Sequence, residues 1–144
     1  MIFKSLLLIF LSVGLIWARS SYDKITRGNF ADNLGDVLVK ASQNNPYPAF
    51  GNFLQTVAIP NSYLFGQMVM WGELLTAVSI ISSCLYLLWK NSKQKIALLA
   101  LKLGLMGGAF LNINFWLTFA HTNSAVDSLN LLMIIIQLVG IITL

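Results

Sequence analysis

One acidic residue, Glu73, stands inside a long apolar run, and its position suggests chemistry more directly than that of any other residue. Between Ser62 and Trp89 no other side chain is charged. An ionisable group inside a bilayer costs at least about 2.5–3.5 kcal/mol unless it is paired or hydrated. We interpret Glu73 as a proton donor and acceptor. The alternative is a structural carboxyl, neutral or ion-paired, that fixes the register of its helix.

Helical rise indicates which residues lie at the height of Glu73. Glu73 precedes Lys90 by 17 residues, which is about 25 Å at 1.5 Å per residue. On the first apolar segment of the chain this height falls close to Arg19 and Lys24, so one of these two is the predicted counter-charge. On the third apolar segment it falls at Asn112, which we expect near Glu73.

Two further side chains near the end of the third apolar segment complete the candidate site. Trp116, or alternatively Trp71, would form a wall of a ligand pocket, and His121 or Asn112 would supply a hydrogen bond. The alternative for His121 is an ordinary histidine at the membrane interface, and alone it would offer a haem or chlorophyll one axial bond. With one histidine and one cysteine, Cys84, the chain cannot build a metal site from several such ligands. We therefore predict no metal.

The composition indicates whether the chain folds in water or in a membrane. The chain has 144 residues, of which 57% are hydrophobic and 10% are charged, and its mean hydropathy is +0.75. Soluble domains are about 45–50% apolar and about 25% charged, so we predict one membrane domain whose partner is lipid. The net charge of +4 comes from scattered basic residues that form no patch, which argues against nucleic-acid binding.

Four segments are long enough to cross a bilayer, which requires about 20 mostly apolar residues. We predict an all-α, integral membrane four-helix bundle with helices at about residues 2–24, 62–89, 96–119 and 128–144. The first segment has the alternative of a secretory signal, but Ile16–Arg19 is a poor cleavage site. We therefore expect it to be retained as a helix.

Small residues predict which spans pack together. They recur at helical spacing on two spans: Gly72, Thr76, Ser79 and Ser83 on the second, and Ala100, Gly104 and Gly108, followed by Asn112, on the third. Small side chains allow membrane-spanning backbones to approach closely. We predict direct packing of the second and third spans.

The long first connection contains two amphipathic stretches, at about residues 29–42 and 49–58. Apolar residues recur there at helical spacing, and Pro60 ends the second stretch. We predict two short interfacial helices. The connection at 90–95 holds three lysines and no acid, which is typical of a cytoplasmic loop. We therefore expect a protein of the inner (cytoplasmic) membrane with both termini in the cytoplasm. Inverted topology is the alternative.

A set of short motifs carries a family resemblance. In chain order these are Lys24 after the first span, Asn45-Pro46-Tyr47-Pro48, Gly72-Glu73-Leu74, Asn114-Phe115-Trp116 and His121-Thr122. In this order and spacing the chain resembles the DoxD/DoxX-like membrane family, which includes the small subunit of thiosulfate:quinone oxidoreductase. The resemblance implies a four-helix membrane subunit associated with respiratory or thiol redox chemistry, and a quinone as the ligand.

Two functions stay open on this reasoning. The first is a quinone-linked oxidoreductase subunit, in which Glu73 handles protons and the pocket is formed by Arg19, Lys24, Asn112, Trp116 and His121. It would need a redox partner subunit, because the sequence has neither a dithiol nor a flavin motif. The second is a non-catalytic structural or assembly subunit of a larger membrane complex. A small transporter or channel is less favoured, because four helices enclose little volume and no inverted repeat is evident.

Overall fold

A computed structural model describes residues 2–90 and 94–144, and within those ranges it is helical without a strand. Its helices are α1 (Ile2–Arg27), α2 (Phe30–Ser42), α3 (Pro48–Phe53), α4 (Ser62–Lys90), α5 (Lys95–Phe119) and α6 (Ser124–Thr143). A π-helical turn, Leu54–Ala58, continues α3, and a short 3-10 turn, Ala120–Thr122, follows α5. The lysine-rich connection used to predict topology includes residues 91–93, which lie outside the described residues.

Four of these helices, α1, α4, α5 and α6, are long and apolar enough to cross a membrane. They form a bundle in which α4 packs against both α1 and α5, and α5 packs against α6. The predicted all-α class with four long apolar helices is confirmed.

The ends of two long helices differ from the predicted positions for local reasons. α1 continues to Arg27 and stops before Gly28, whose φ of 71° is a left-handed conformation that ends helices and suits glycine. α6 begins at Ser124, four residues before the predicted start, because the Asn123 side chain accepts a hydrogen bond from the Ala125 backbone N–H at 2.8 Å. This is a standard N-cap.

The first connection folds over one end of the bundle. Leu34 and Leu38 of α2 form an apolar cluster with Leu54 and Ala58 of the π-helical turn. The second predicted helix, 49–58, is divided into an α-helical and a π-helical part, since the Ile59 N–H donates to the Leu54 carbonyl five residues earlier, at 2.8 Å. The four residues of this cluster join the connection into one cap.

The predicted packing of the second and third spans is confirmed. The Ser79 hydroxyl of α4 donates to the Ala100 carbonyl of α5 at 2.7 Å. A Cβ added at Gly104 would lie 2.9 Å from Ile80 Cγ1, so glycine is what allows the two backbones to approach. The far end of the bundle from the cap is a continuous apolar core.

Candidate functional site

The Lys24 ammonium of α1 and the Glu73 carboxylate of α4 form an ion pair inside the bundle. Lys24 Nζ lies 2.9 Å from Glu73 Oε1 and 3.0 Å from Oε2. The Glu73 side chain is 0% exposed and that of Lys24 is 21% exposed. Lys24 Nζ also donates to Ser20 Oγ at 2.7 Å, because residues four apart share one face of a helix. A buried charge is tolerated when it is paired and hydrogen-bonded in this way.

Two aromatic rings on other helices lie close to the Lys24 ammonium. Lys24 Nζ is 5.3 Å from the ring centre of Phe30, at the start of α2, and 5.9 Å from that of Phe115 in α5. Both distances lie within the range of cation–π attraction, about 6 Å. Lys24 therefore links α1 to three other helices at one point.

The other proposed counter-charge, Arg19, does not reach Glu73. Its guanidinium lies 3.3 Å from Asp23 on the same helix, and the two side chains are 72% and 37% exposed. Arg19 and Lys24 are five positions apart, so their side chains point in directions that differ by about 140° round the helix axis at 3.6 residues per turn. The structure thus decides between the two candidates in favour of Lys24.

A cavity of about 700 Å³ opens beside the ion pair. Its volume is within the range of small-molecule sites, about 300–1,000 Å³. Ser20 and Lys24 line it, and most of the remaining wall is apolar. Its aromatic wall consists of Phe30, Phe50, Phe53, Phe65, Phe110, Phe115 and Phe119. Such a cavity suits a flat, mostly apolar molecule that accepts a hydrogen bond at one edge.

Further polar side chains line the cavity from α5 and α6. Asn114 of α5 and Asn130 of α6 each donate one amide hydrogen to the carbonyl four residues earlier, both at 2.8 Å. An amide has two donors and an acceptor, so both retain hydrogen-bonding capacity. Neither was among the predicted site residues. A signal for one of them was present in the sequence, since Asn114 and Thr118, which also lines the cavity, are one helical turn apart.

A second, more polar cavity of about 310 Å³ lies next to the first. Its wall includes Asp23, Arg27 and Asn33, and it shares Ser20 and Lys24 with the larger cavity. The Lys24 side chain therefore borders the apolar cavity on one side and the polar cavity on the other.

Asn112 lies within the bundle but lines neither cavity. Its amide donates to Gln137 Oε1 at 3.0 Å, and both side chains are buried, at 3% and 0% exposure. The contact joins α5 to α6. Asn112 thus has a hydrogen-bond partner on α6, and its predicted position near Glu73 stays a prediction.

Trp116 and His121 also lie outside the two cavities. The indole N–H of Trp116 donates to Asp127 Oδ1 at 2.6 Å, and its ring centre is 5.8 Å from that of Tyr47. His121 is exposed in the short 3-10 turn after α5. Of the six predicted site residues, Glu73 and Lys24 are the two for which a direct contact is established.

Segments that carry the family resemblance meet in the fold. Asn45 donates to the Leu117 carbonyl at 2.9 Å, and the adjacent Tyr47 packs on Trp116. Comparisons of the chain with protein-family models, with curated proteins and with solved structures gave no match. In the part of the chain that the structure describes, no three His, Cys, Asp or Glu residues cluster as metal ligands would.

Proposed function

We propose that this protein is a DoxD/DoxX-like membrane subunit that binds a quinone in the larger cavity and serves respiratory or thiol redox chemistry. The observation that carries the proposal is the position of the Lys24–Glu73 pair at the edge of an apolar, aromatic-lined cavity of about 700 Å³. The meeting of motif segments from distant parts of the chain supports the resemblance.

The charge of the site favours a neutral ligand. Because the Glu73 carboxylate already neutralises the Lys24 ammonium, the pair does not call for an anion. A quinone carbonyl would share an N–H of Lys24 with the Glu73 carboxylate, because the three N–H groups have Ser20 Oγ and both Glu73 oxygens as acceptors. The ring would pack against the phenylalanine side chains. Asn114 and Asn130, on the other helices of the cavity, are the proposed partners of the second carbonyl.

Reduction of a quinone to the quinol consumes two electrons and two protons. The Lys24–Glu73 pair is the proposed proton relay, and the polar second cavity is its connection to water. The electrons must come from a partner subunit, because the chain has one cysteine, Cys84, and it is buried. A membrane complex with a larger redox subunit is therefore part of the proposal.

The placement in the membrane is part of the same proposal. Four candidate spans give a multi-pass protein, and we place it in the inner membrane with both termini in the cytoplasm. The capped end of the bundle, which contains the ion pair, then faces outward. A reporter enzyme that is active only in the cytoplasm should be active when it is fused after Leu144. An inactive reporter with normal expression would show the inverted topology.

Binding of a quinone analogue to the purified protein tests the central claim. We expect wild-type protein in nanodiscs to bind the analogue, and the double variant Lys24→Met/Glu73→Met to bind at least about tenfold more weakly, a loss of ~1.4 kcal/mol. Replacing both partners keeps the interior free of an unpaired charge. Lys102→Met is the matched control, since Lys102 lies on α5 away from both cavities. Equal binding by all three proteins would refute the quinone site.

A second function, that of a structural or assembly subunit, is favoured by a different observation. Polar contacts fix the helices of the bundle against one another, as Asn112–Gln137 and Trp116–Asp127 do between the consecutive helices α5 and α6. Under this function, Glu73→Gln would reduce assembly while the finished complex kept its activity. Gentle detergent extraction followed by mass spectrometry of co-purifying chains distinguishes the two: a stable monomer that binds quinone would exclude a purely structural role.

A further inference from the structure

The larger cavity reaches the outer surface of the bundle between α4 and α5. Met68 of α4 and Phe110 of α5 both line the cavity, yet they are 60% and 67% exposed. A side chain that is both exposed and part of the wall marks an edge of the cavity. Val37 and Phe53 mark another edge at the cap, at 46% and 36% exposure, and the more exposed pair lies between α4 and α5. Gly72 and Gly107, on the same two helices, also line it. The opening is narrow at these positions, since a Cβ at Gly107 would lie 3.2 Å from Thr76 Oγ1, and glycine is what leaves it open there.

The depth of this opening along the bundle follows from the positions of Met68 and Phe110 in their helices. α4 runs from Ser62 to Lys90, so Met68 lies eight residues, about 12 Å, from its middle. α5 runs from Lys95 to Phe119, so Phe110 lies about 4.5 Å from its middle. Both distances are smaller than the half-thickness of a hydrocarbon core of about 30 Å. In a bilayer the opening would therefore face acyl chains, whereas the polar second cavity lies at the capped end.

We infer that the opening between Met68, Gly72, Gly107 and Phe110 is a lateral portal through which the hydrocarbon tail of a lipid-soluble ligand extends into the bilayer. The inference rests on the proposed function, since the ring would occupy the cavity near Lys24. The ligand class is thus a ring compound with a long isoprenoid or alkyl tail, which enters from the membrane and not from water.

Gly72 provides the means to block the portal. A Cβ added there would lie 3.7 Å from Leu111 Cδ1, an ordinary contact, so there is space for the first atom of a side chain. A larger side chain, as in Gly72→Leu, would extend into the gap. Met68→Trp provides a second way to cover the opening, at a residue that is already exposed and therefore costs little in folding.

The experiment compares a tail-less quinone with one that carries a long isoprenoid tail, using the whole protein in nanodiscs. We expect Gly72→Leu and Met68→Trp to weaken binding of the tailed quinone about tenfold or more, ~1.4 kcal/mol. Because both residues also line the ring cavity, the test is the ratio: binding of the tail-less ring should fall by at least about fivefold less than binding of the tailed quinone. Ser82→Leu, on the exposed face of α4 and outside the cavity, should change neither.

Each outcome has a separate meaning. Equal loss for both quinones, or loss for neither, would overturn the portal while leaving the ring site intact. If neither quinone binds the wild-type protein, the proposed function itself fails. Should Gly72→Leu not fold, Met68→Trp alone decides the matter.

Discussion

The two ends of the bundle differ in how their interiors are filled. At the end that holds the chain termini, large apolar side chains such as Phe10, Ile80 and Leu105 are 0–1% exposed and fill the interior. At the capped end, the bundle encloses a cavity of about 700 Å³ beside the Lys24–Glu73 ion pair. Side chains fill the interior of the first end, and the interior of the second contains open space.

Two glycines illustrate the difference between the packed end and the cavity wall. A Cβ at Gly140, in the packed end, would lie 2.6 Å from Leu105 Cδ1 and 2.8 Å from the Phe10 ring. At Gly72, in the cavity wall, its nearest neighbour would be 3.7 Å away. In one place glycine is needed for close approach, and in the other it keeps space open. A small residue in this bundle therefore serves close packing or a cavity according to what lies opposite it.

The largest effect should come from breaking the ion pair of the cavity end. Lys24→Met leaves the fully buried Glu73 carboxylate without its partner, which should lower the free energy of unfolding by about 3–5 kcal/mol. Thermal unfolding in detergent measures it. Lys24→Met/Glu73→Met should recover most of the loss, since no unpaired charge remains. A single variant as stable as the wild type would mean that the pair does not hold this end together.

Removing the hydrogen bond between Trp116 and Asp127 should have a smaller effect. Trp116→Phe keeps an aromatic ring beside Tyr47 but deletes the 2.6 Å bond to a carboxylate, at a cost of about 1.5–3 kcal/mol. Urea or heat unfolding in detergent checks this value. Because Trp116 lies outside both cavities, binding of a quinone analogue should be unchanged. A selective loss of binding without loss of stability would assign Trp116 to the ligand site after all.

The two glycines provide the sharpest test of the comparison itself. Gly140→Ala should destabilise the packed end by about 1–3 kcal/mol, because the added methyl group overlaps Leu105 and Phe10. Gly72→Ala should stabilise the protein by up to about 1 kcal/mol, because alanine favours the helix and its Cβ fits. Unfolding curves of both variants, measured side by side, should shift in opposite directions. Shifts of the same sign would show that the two ends do not differ in packing.

The smallest effect is expected at Arg19. Its pair with Asp23 is largely exposed, and exposed pairs contribute about 0–1 kcal/mol. Arg19→Gln should therefore leave the unfolding temperature and the binding of a quinone analogue almost unchanged. A loss comparable to that of Lys24→Met would show that Arg19, and not Lys24 alone, supports Glu73.

Much of the fold follows from local sequence, and most of the site does not. The apolar runs around Glu73 and Gly104 were enough to predict two long helices and their contact, because helix length and small-residue spacing are properties of single segments. The height of Glu73 limited its partner to Arg19 or Lys24 on the first helix. Which of these two side chains points at Glu73 depends on how α1 is rotated about its axis relative to α4. That rotation cannot be predicted from the sequence of α1 alone.

The residues that line the cavity were predicted least well. Asn112 and His121 were chosen for their chemistry and height, yet Asn112 bonds to Gln137 and His121 is exposed. Asn114 and Asn130 line the cavity instead. A turn of about 100° per residue separates neighbouring positions on a helix, so an error of two residues moves a side chain to another face.

By itself the sequence determined an all-α chain with four helices apolar enough for a bilayer, and an acid that needs a partner inside it. It could do so because hydropathy and helical period are summed along one segment at a time. Only the tertiary structure decided that Lys24 is that partner, and that the space beside it stays open. Both depend on the relative rotation of helices that are far apart in the chain, which is settled when all of their side chains pack together.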